Sequence, residues 1–380
     1  MALVVDEGNW LAEADIDGAA EALGLKLLAE EDPESPEKNT RYAVTGVKIN
    51  KTSKANRRRQ YVAEGCEPTG CNIARHGISR PICNHRLVMS ETSTIASVVT
   101  QWFRREARDL PWRRPETTPW QILVSEIMLQ QTPVERVREP YAQWLARWPD
   151  ASSLAAASPG DVVRQWGKLG YPRRALRLQQ CAVALVERFN GEVPDDVYAL
   201  LSLPGIGDYT ARAVATFAFG QRHPVVDTNV RRVVARAVEG AGDAGPPSAR
   251  RDLAATEALL PESVAEAALC SAALMELGAV ICTARSPRCD DCPIKSLCAW
   301  QVAGRPPYEG PRRKPQGYAG TDRQVRGLLL DVLRNSHGPV DATAMDVQWH
   351  DKDQRARALS TLLSDGLVHR LPDGRFSLPL

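Results

Sequence analysis

The feature that most constrains the fold is a series of segments with the hydrophobic periodicity of α-helices, from about residue 95 to about residue 299. In the first segment, capped by Ser93 or Thr94, apolar residues from Ile95 to Phe103 form one stripe at helical spacing. Pro, Gly and Asp/Asn residues separate the later segments, which we predict at 119–131, 134–147, 160–168, 173–189, 195–202, 208–219, 228–238, 248–259 and 263–279. Few stretches alternate with period two, so we predict a mainly α domain in two lobes, spanning residues 89–300.

The flanking regions differ in character from this domain. Residues 1–88 show no sustained periodicity, and the pattern sharpens abruptly at Met89, so we expect an extension that is disordered or foreign to the native polypeptide. Residues 301–320 are dense in Pro, Gly and Arg and predict a linker. Helices at 321–335 and 352–365, followed by the hairpin signal Asp373-Gly374, predict a small winged-helix-like unit at 321–380.

Composition excludes several classes of protein. The 380 residues are 43% hydrophobic and 25% charged, which fits a globular chain of two or three domains. No apolar stretch approaches the roughly eighteen residues of a membrane helix, and the first residues lack the pattern of a signal peptide. We therefore expect a cytoplasmic protein with no membrane association. The formal charge of +2 leaves nucleic-acid binding to local basic surface.

Four of the nine cysteines lie in CTARSPRCDDCPIKSLC, with the spacing C-x6-C-x2-C-x5-C. In a reducing cytosol such a cluster favours metal ligands over disulfides. Four thiolates suit zinc or a cubane iron–sulfur cluster, but structural zinc sites usually pair two CxxC knuckles and this run has one. We predict a [4Fe-4S] cluster, with unligated buried thiols as the alternative, held by Cys282, Cys289, Cys292 and Cys298.

The other cysteines give weaker signals. The spacing of a second group matches no zinc pattern, although its side chains could bind a metal: Cys66, Cys71, His76, Cys83 and His85. Cys181 and Cys270 fall on apolar helix faces, and we expect both in the core.

The stretch LPGIGDYTARAVATFAFG at 203–220 places two glycines, Gly205 and Gly207, between predicted helices. Glycines let the backbone present successive N–H groups at a helix N-terminus, where a phosphate would bind. An ordinary glycine turn is the alternative. Asp227 opens a later helix and, taken alone, is most simply an N-cap, with Thr228 as the rival.

Four motifs occur in the order and spacing of one family: SEIMLQQT at 125–132, LGY at 169–171, LPGIG with an Asp about twenty residues later, and the four-cysteine loop. Over about residues 95–300 the chain resembles the helix-hairpin-helix DNA glycosylases, and most closely the MutY-type adenine DNA glycosylases. The resemblance implies a two-lobed helix-hairpin-helix core with a [4Fe-4S] cluster. It also implies a nucleoid-associated monomer of base excision repair that binds double-stranded DNA and removes adenine mispaired with 8-oxoguanine or guanine.

The resemblance also implies roles for individual residues. Glu126 would protonate the adenine ring, and Asp227 would stabilise the sugar cation. Burial would keep the proton on Glu126, while a more solvated site would keep Asp227 ionised. Without the family pattern, Glu126 would be interpreted as a solvent-facing helix residue. The DNA-contacting positions implied by the family are Gln131 and Tyr171, which wedge into the gap left by the flipped base, Leu203, Gly205 and Gly207 in the hairpin, and Trp112 and Glu276 in the adenine pocket. Trp112 and Glu276 also have ordinary interpretations, as a core Trp and a helix-surface Glu.

Tyr209 decides the expected reaction type. It stands where the bifunctional enzymes similar to endonuclease III carry a nucleophilic Lys, and a phenol cannot form a Schiff base, so the resemblance implies a monofunctional glycosylase. Two alternatives remain: a bifunctional glycosylase/lyase, and a redox-sensing iron–sulfur DNA-binding regulator without activity. Residues 321–380 are too few for the Nudix-like domain that many MutY-type enzymes use to check for 8-oxoguanine, which leaves that discrimination open.

Overall fold

A computed structural model of the 380-residue chain describes residues 94–310, 317–346 and 349–380 in full, and before residue 94 only the backbone of four strands and the start of one helix. The chain forms two compact units, Met1–Ser79 and Arg80–Leu380. The first unit contains two antiparallel hairpins, one of β1 (Ala2–Val5) with β2 (Asn9–Ala12) and one of β3 (Lys26–Glu30) with β4 (Arg41–Thr45). The sequence predicted none of these strands. The candidate metal-binding side chains between Cys66 and His85 lie outside the described residues.

The second unit is mainly helical, which confirms the predicted fold class. Its helices are α1 (His85–Glu106), α2 (Pro119–Leu129), α3 (Val134–Arg147), α4 (Ala151–Ala155), α5 (Pro159–Trp166), α6 (Arg173–Phe189), α7 (Val197–Leu201), α8 (Asp208–Phe219), α9 (Thr228–Ala237), α10 (Ala249–Glu257), α11 (Val264–Val280), α12 (Ala299–Val302), α13 (Asp322–Arg334), α14 (Ala342–Asp346) and α15 (Lys352–Ser364). Short 3₁₀ helices occupy Pro111–Arg113, Cys289–Asp291 and Lys295–Leu297. The predicted cap at Ser93 or Thr94 is wrong, because α1 begins at His85. The sequence also missed α4, α12 and α14.

Two hydrophobic cores define the two lobes. The first core lies between residues 110 and 215 and is centred on large buried side chains such as Trp144, Trp166 and Leu178. The second core brings α1 against α9, α11 and the cysteine loop, with Val99, Val230 and Leu274 among its buried members. Because each lobe buries its own apolar face, polar residues at their junction can line an open cleft.

Helix α2 runs through the first core. It begins with a capping box, in which the backbone N–H of Thr118 donates to Gln121 Oε1 at 3.0 Å and the N–H of Gln121 donates to Thr118 Oγ1 at 3.3 Å, and Pro119 occupies the first turn. Its residues from Trp120 to Met128 are buried except Gln121. A helix that is apolar on nearly all sides is an interior helix. Its one acidic residue, Glu126, is therefore carried into the protein.

Helices α9 and α11 approach each other closely at Gly278. A Cβ on Gly278 would lie 2.7 Å from Asn229 Cβ and 2.8 Å from Asn229 O. Across the same contact, Arg232 Nη2 donates to Gly278 O at 2.7 Å and Arg232 Nε donates to Cys282 O at 2.6 Å. Only glycine permits this approach, which fixes the N-terminal end of α9 against α11.

The C-terminal segment packs on the first lobe. It consists of α13, α14, α15 and an antiparallel hairpin of β5 (His369–Arg370) and β6 (Phe376–Ser377), with Val340 bridged to Phe376. Its apolar core includes Val163 of α5. The predicted helices and hairpin are confirmed, and the winged-helix-like assignment stays a prediction. In the described part of the chain, none of the helices has the length and apolar character needed to cross a membrane.

We expect Gly278→Ala to destabilise the protein, because the added methyl group must displace the backbone of Asn229. Overpacking of this kind costs about 1–3 kcal/mol of unfolding free energy. The matched control is Gly327→Ala in α13, where the new Cβ would meet only the Tyr318 hydroxyl at 3.5 Å. The unfolding free energy of the control should increase by about 0.5–1 kcal/mol, because Ala has a higher helix propensity than Gly. Thermal unfolding compares the two, and an unchanged melting temperature in Gly278→Ala would refute the close approach.

Candidate active site

Glu126 is a carboxylic acid held out of water. Its side chain is only 6% exposed. Burial raises its pKa to about 7, the negative charge of Asp227 acts in the same direction, and a hydrogen bond from the Tyr209 hydroxyl and the charge of Arg113 oppose the shift. Near neutral pH the group can therefore hold its proton and release it.

Asp227 caps helix α9. One carboxylate oxygen accepts a hydrogen bond from the Val230 N–H at 2.7 Å, and the other accepts one from Asn229 Nδ2 at 2.7 Å. It is less buried than Glu126, as expected. Burial nevertheless raises its pKa, against these hydrogen bonds and the charge of Arg232. The bonds and the N-terminus of α9 favour the ionised form.

Tyr209 of α8 completes a group of three titratable side chains with Glu126 of α2 and Asp227, the N-cap of α9. Its hydroxyl is hydrogen-bonded to Glu126, and burial together with the charges of Glu126 and Asp227 raises its pKa well above the ordinary value for a phenol. The hydroxyl therefore stays protonated. The three groups line one broad cleft where the two lobes meet.

The glycine turn before α8 has the conformation expected of a tight backbone turn. Gly205 has a φ of 81°, and a Cβ there would lie 3.0 Å from Arg177 Cβ, so the turn requires glycine. Gly207 is the exposed N-cap of α8, and both glycines line the cleft. Leu203 differs from the expectation: it is 3% exposed and belongs to the first core, so its side chain is not available to DNA.

Trp112 and Glu276 both line the cleft. Trp112 is also a core residue, 8% exposed and in an edge-on contact with Tyr141 at 5.3 Å between ring centroids. Glu276 is fully buried and is not a helix-surface residue.

The carboxylate of Glu276 is occupied by two arginines that the sequence did not single out. Arg108 Nε donates to Oε1 at 2.6 Å and its Nη2 to Oε2 at 2.9 Å, while Arg113 Nη2 donates to Oε2 at 3.0 Å. Burial would raise the pKa of Glu276, but these hydrogen bonds and charges outweigh it and lower the pKa. Both carboxylate oxygens of Glu276 are therefore already occupied, and the geometry does not favour its predicted role as an acceptor for the amine of adenine. Glu276 holds Arg113 at the cleft, beside Glu126.

The two predicted wedge residues share an unusual backbone conformation. Gln131 and Tyr171 have φ angles of 54° and 47°, a left-handed region that side chains other than Gly and Asn rarely adopt. Gln131 lines the cleft, and Tyr171 is 37% exposed at a separate loop. Both loops present their side chains outward at some backbone strain.

Arg174, which the sequence did not single out, ties these two loops together. Its guanidinium donates to Gln130 O at 2.6 Å, to Thr132 Oγ1 at 3.0 Å and to Gly170 O at 3.1 Å. Burial lowers its pKa to about 10, which still leaves it charged at neutral pH. An Arg in a helical first turn resembles any solvated charge, so no local signal predicts this contact.

Cys282, Cys289, Cys292 and Cys298 line one small cavity and form no disulfide. A tetrahedral zinc would need sulfurs about 3.8 Å apart, from Zn–S bonds of about 2.3 Å. Among the described residues no group of three or more His, Cys, Asp or Glu converges enough to hold a single metal ion. Burial and the neighbouring thiols raise the pKa of Cys292 to about 12, so four thiolates require strong compensating positive charge. Four cysteine thiols are the donor set that a [4Fe-4S] cluster requires.

Two segments of the second unit match known protein families. Residues 124–256 match the HhH-GPD superfamily of base excision DNA repair proteins. Residues 282–298, which contain the four cysteines of the loop, match the iron–sulfur binding domain of endonuclease III, and the predicted iron–sulfur cofactor is confirmed.

Curated relatives extend the match over most of the chain. The adenine DNA glycosylase of Mycobacterium tuberculosis is 58% identical over 292 residues, covering 77% of this chain and 94% of that protein. The adenine DNA glycosylase of Mycolicibacterium smegmatis is 60% identical, covering 73% and 93%. Among solved structures, a thermostable thymine-DNA glycosylase is similar, with a TM-score of 0.51 and 27% identity over 56% of this chain and 98% of its own.

The buried carboxyl of Glu126 predicts a pH-dependent stability. Because its pKa rises from 4.5 to about 7 on folding, the folded state holds the proton more tightly, and stability is lost as pH rises through that interval. The loss approaches about 3 kcal/mol when the group is ionised in both states. Glu126→Gln removes this pH-dependent contribution. In thermal unfolding, the stability of the variant relative to the wild type should therefore increase between about pH 5 and pH 8. The exposed Glu187→Gln is the control. If the difference in stability between Glu126→Gln and the wild type does not change with pH, the pKa of the Glu126 carboxyl is not raised by burial.

Proposed function

The chain belongs to the adenine DNA glycosylases, iron–sulfur DNA N-glycosylases of base excision repair, and we propose that it removes adenine mispaired with 8-oxoguanine or guanine without cutting the DNA strand. The observation that carries the proposal is the buried carboxyl of Glu126, with a pKa of about 7, beside Tyr209 and Asp227 in the cleft.

Glu126 is the proposed general acid. The bond between adenine and the sugar breaks more easily when the ring is protonated, because the base then leaves as a neutral molecule. A pKa near the working pH keeps much of the carboxyl protonated and still lets it give the proton up. The Tyr209 hydroxyl then stabilises the carboxylate that forms, through the hydrogen bond present between them.

Asp227 is the proposed stabiliser of the sugar cation. Its hydrogen bonds from Val230 and Asn229, at the N-terminus of α9, favour the charged carboxylate over the neutral acid. A fixed negative charge that is already oriented toward the sugar stabilises the developing positive charge more strongly than mobile water does. One carboxyl group donates a proton and the other holds charge. Water then adds to the sugar cation and releases a proton, which gives the abasic site and allows the Glu126 carboxylate to be protonated again.

The cleft disfavours the bifunctional alternative. Strand cleavage through a Schiff base requires an amine, and the corresponding position holds Tyr209, whose hydroxyl stays protonated and bound to Glu126. Among the described residues that line the cleft there is no lysine. The regulator without activity is also disfavoured, because DNA binding alone needs no pair of carboxyl groups beside a phenol hydroxyl.

The proposed DNA contacts surround this cleft. The exposed backbone of Gly205 and Gly207 at the N-terminus of α8 suits a phosphate, and Gln131 and Tyr171 would fill the gap left by the extruded adenine. Trp112 would stack on the base, and the arginines held by Glu276 would meet its polar edge. One chain supplies all of these groups, so we propose that a monomer acts on DNA at the nucleoid.

The four cysteine ligands hold the loop at residues 282–298 beside the cleft. A bound cluster would supply the positive charge that keeps the four sulfurs deprotonated and the loop closed. Arg236 supports this loop from α9, donating to Thr283 O at 2.8 Å and approaching Cys282 Sγ at 3.4 Å. Arg285 of the loop lines the cleft, where it can meet a phosphate.

The proposed function predicts that the wild type releases adenine from an 8-oxoguanine:adenine duplex. Abasic sites are revealed by hot alkali, and without alkali the strand should remain intact. Glu126→Gln removes the proton donor at constant size and should lower the single-turnover rate at least about a hundred-fold while duplex binding persists. Asp227→Asn should cost nearly as much through lost charge stabilisation.

The control for both variants is Glu187→Gln at an exposed position of α6, which should be as active as the wild type. Wild-type rates in Glu126→Gln or Asp227→Asn would remove the mechanism. Absence of adenine release by the wild type from both the 8-oxoguanine:adenine and the guanine:adenine duplex would remove the proposed function.

A further inference from the structure

Arg323, in the first turn of α13, reaches from the C-terminal segment to the wedge loop of the first lobe. Its guanidinium carbon lies 4.1 Å from the centroid of the Tyr171 ring, within the range of a cation–π contact. Its Nη2 atom lies 3.8 Å from the point that a Cβ of Gly170 would occupy. The contact therefore joins two regions that are far apart in the sequence, and its interpretation rests on the proposed function of Tyr171.

Within the described ranges, the cationic side chains that contact the Tyr171 ring face are Arg323 and Arg174. Arg174 binds the loop through Gly170 O at 3.1 Å, but its guanidinium carbon is farther from the Tyr171 centroid, at 5.4 Å. The ring is 37% exposed and sits on a backbone with a φ of 47°. Arg174 thus fixes the backbone of the loop, while Arg323 makes the closer contact with the ring.

The C-terminal segment is anchored firmly enough to hold Arg323 in place. Asp365 pairs with Arg173 of α6 at 3.3 Å and with Arg326 of α13 at 2.5 Å. Arg164 of α5 donates to Ser336 O at 3.0 Å and also contacts Arg334 O at the end of α13. Val163 of the first lobe lies in the core of the C-terminal segment. Helix α13 is therefore fixed against the lobe that carries the wedge.

The Arg323 guanidinium differs from the other arginines of α13 in its ion pairing. The other α13 arginines form ion pairs, Arg326 with Asp365 at 2.5 Å and Arg334 with Asp331 at 3.2 Å. In the described ranges no carboxylate lies within ion-pair distance of Arg323, which is exposed. An exposed, unpaired guanidinium beside a residue that enters DNA is well suited to a phosphate.

We propose that Arg323 is a positioning residue for the Tyr171 wedge and that its free guanidinium meets the DNA backbone beside the mispair. The C-terminal segment then helps to open the base stack and does more than cover the first lobe. A guanidinium that orients the wedge does not contact the edge of the opposite base. Its loss should therefore slow adenine release from 8-oxoguanine:adenine and guanine:adenine duplexes by the same factor.

The test is a double-mutant cycle in the full chain, with Arg323→Ala, Tyr171→Ala and the double variant. Binding of each mispaired duplex and single-turnover adenine release are both measured. An exposed cation–π contact implies an effect of about 2- to 5-fold on the rate of adenine release for Arg323→Ala. This effect should shrink when Tyr171 is already Ala, and what remains should be the weaker, salt-dependent binding caused by loss of the phosphate contact. Arg323→Lys should restore the salt dependence of binding and only part of the coupling, because Lys keeps the charge but lacks the planar group.

Lys352→Ala, an exposed charge at the start of α15, is the matched control and should leave rate and binding unchanged. The proposal is overturned if the effects of Arg323→Ala and Tyr171→Ala multiply independently, or if Arg323→Ala behaves like Lys352→Ala. It is also overturned if Arg323→Ala changes the ratio of the adenine-release rates on the two mispaired duplexes while the double-mutant cycle shows no coupling between Arg323 and Tyr171. If the wild type releases adenine from neither duplex, the proposed function fails, and the binding cycle alone still decides the role of Arg323.

Discussion

The structure depends on keeping one carboxyl group out of water. Helix α2 is apolar on nearly all sides, and Glu126 is the acidic residue that it carries into the first core. Burial of a carboxyl opposes folding unless the group is protonated or bonded, and here the Tyr209 hydroxyl from α8 supplies the bond. The second lobe brings Asp227 close enough to raise the pKa of Glu126 further. The relative position of the two lobes thus sets the acid strength of the group that the proposed chemistry uses.

Buried arginines hold the irregular segments around the cleft. Arg174 binds the two wedge loops, Arg232 and Arg236 bind the carbonyls at the start of the cysteine loop, and Glu276 fixes Arg108 and Arg113. A guanidinium has five donors in a fixed plane, so one side chain can satisfy several carbonyls that no helix or strand pairs. The loops that carry the strained or exposed residues proposed to contact DNA are in this way fixed from the interior of the protein. Arg323 is different, because it approaches Tyr171 from the outside and is open to solvent.

The sequence predicted what depends on local patterns. The bounds of α3, α6 and α8 agree with periodicity and punctuation, and the conformation of Gly205 follows from the need for a tight turn. The start of α1 was missed because residues 85–94 contain no Pro or Gly to interrupt it. Glu126 carries no local sign of its burial, and only the family pattern indicated it. The ion pairs of Glu276 join residues more than 160 positions apart, so neither its burial nor its occupied oxygens could be predicted. Leu203 shows the reverse case, since a motif position that suggests DNA contact is filled by a core residue.

The most direct test of the central claim is the pH dependence of single-turnover adenine release from an 8-oxoguanine:adenine duplex. If Glu126 donates the proton, the rate should fall about ten-fold per pH unit above an apparent pKa near 7, because only the protonated carboxyl acts. It should also fall in acid, where Asp227 becomes protonated and loses its charge. A rate that stays constant between about pH 6 and pH 9 would contradict the account, since no group with the pKa of the buried carboxyl would then take part in bond cleavage.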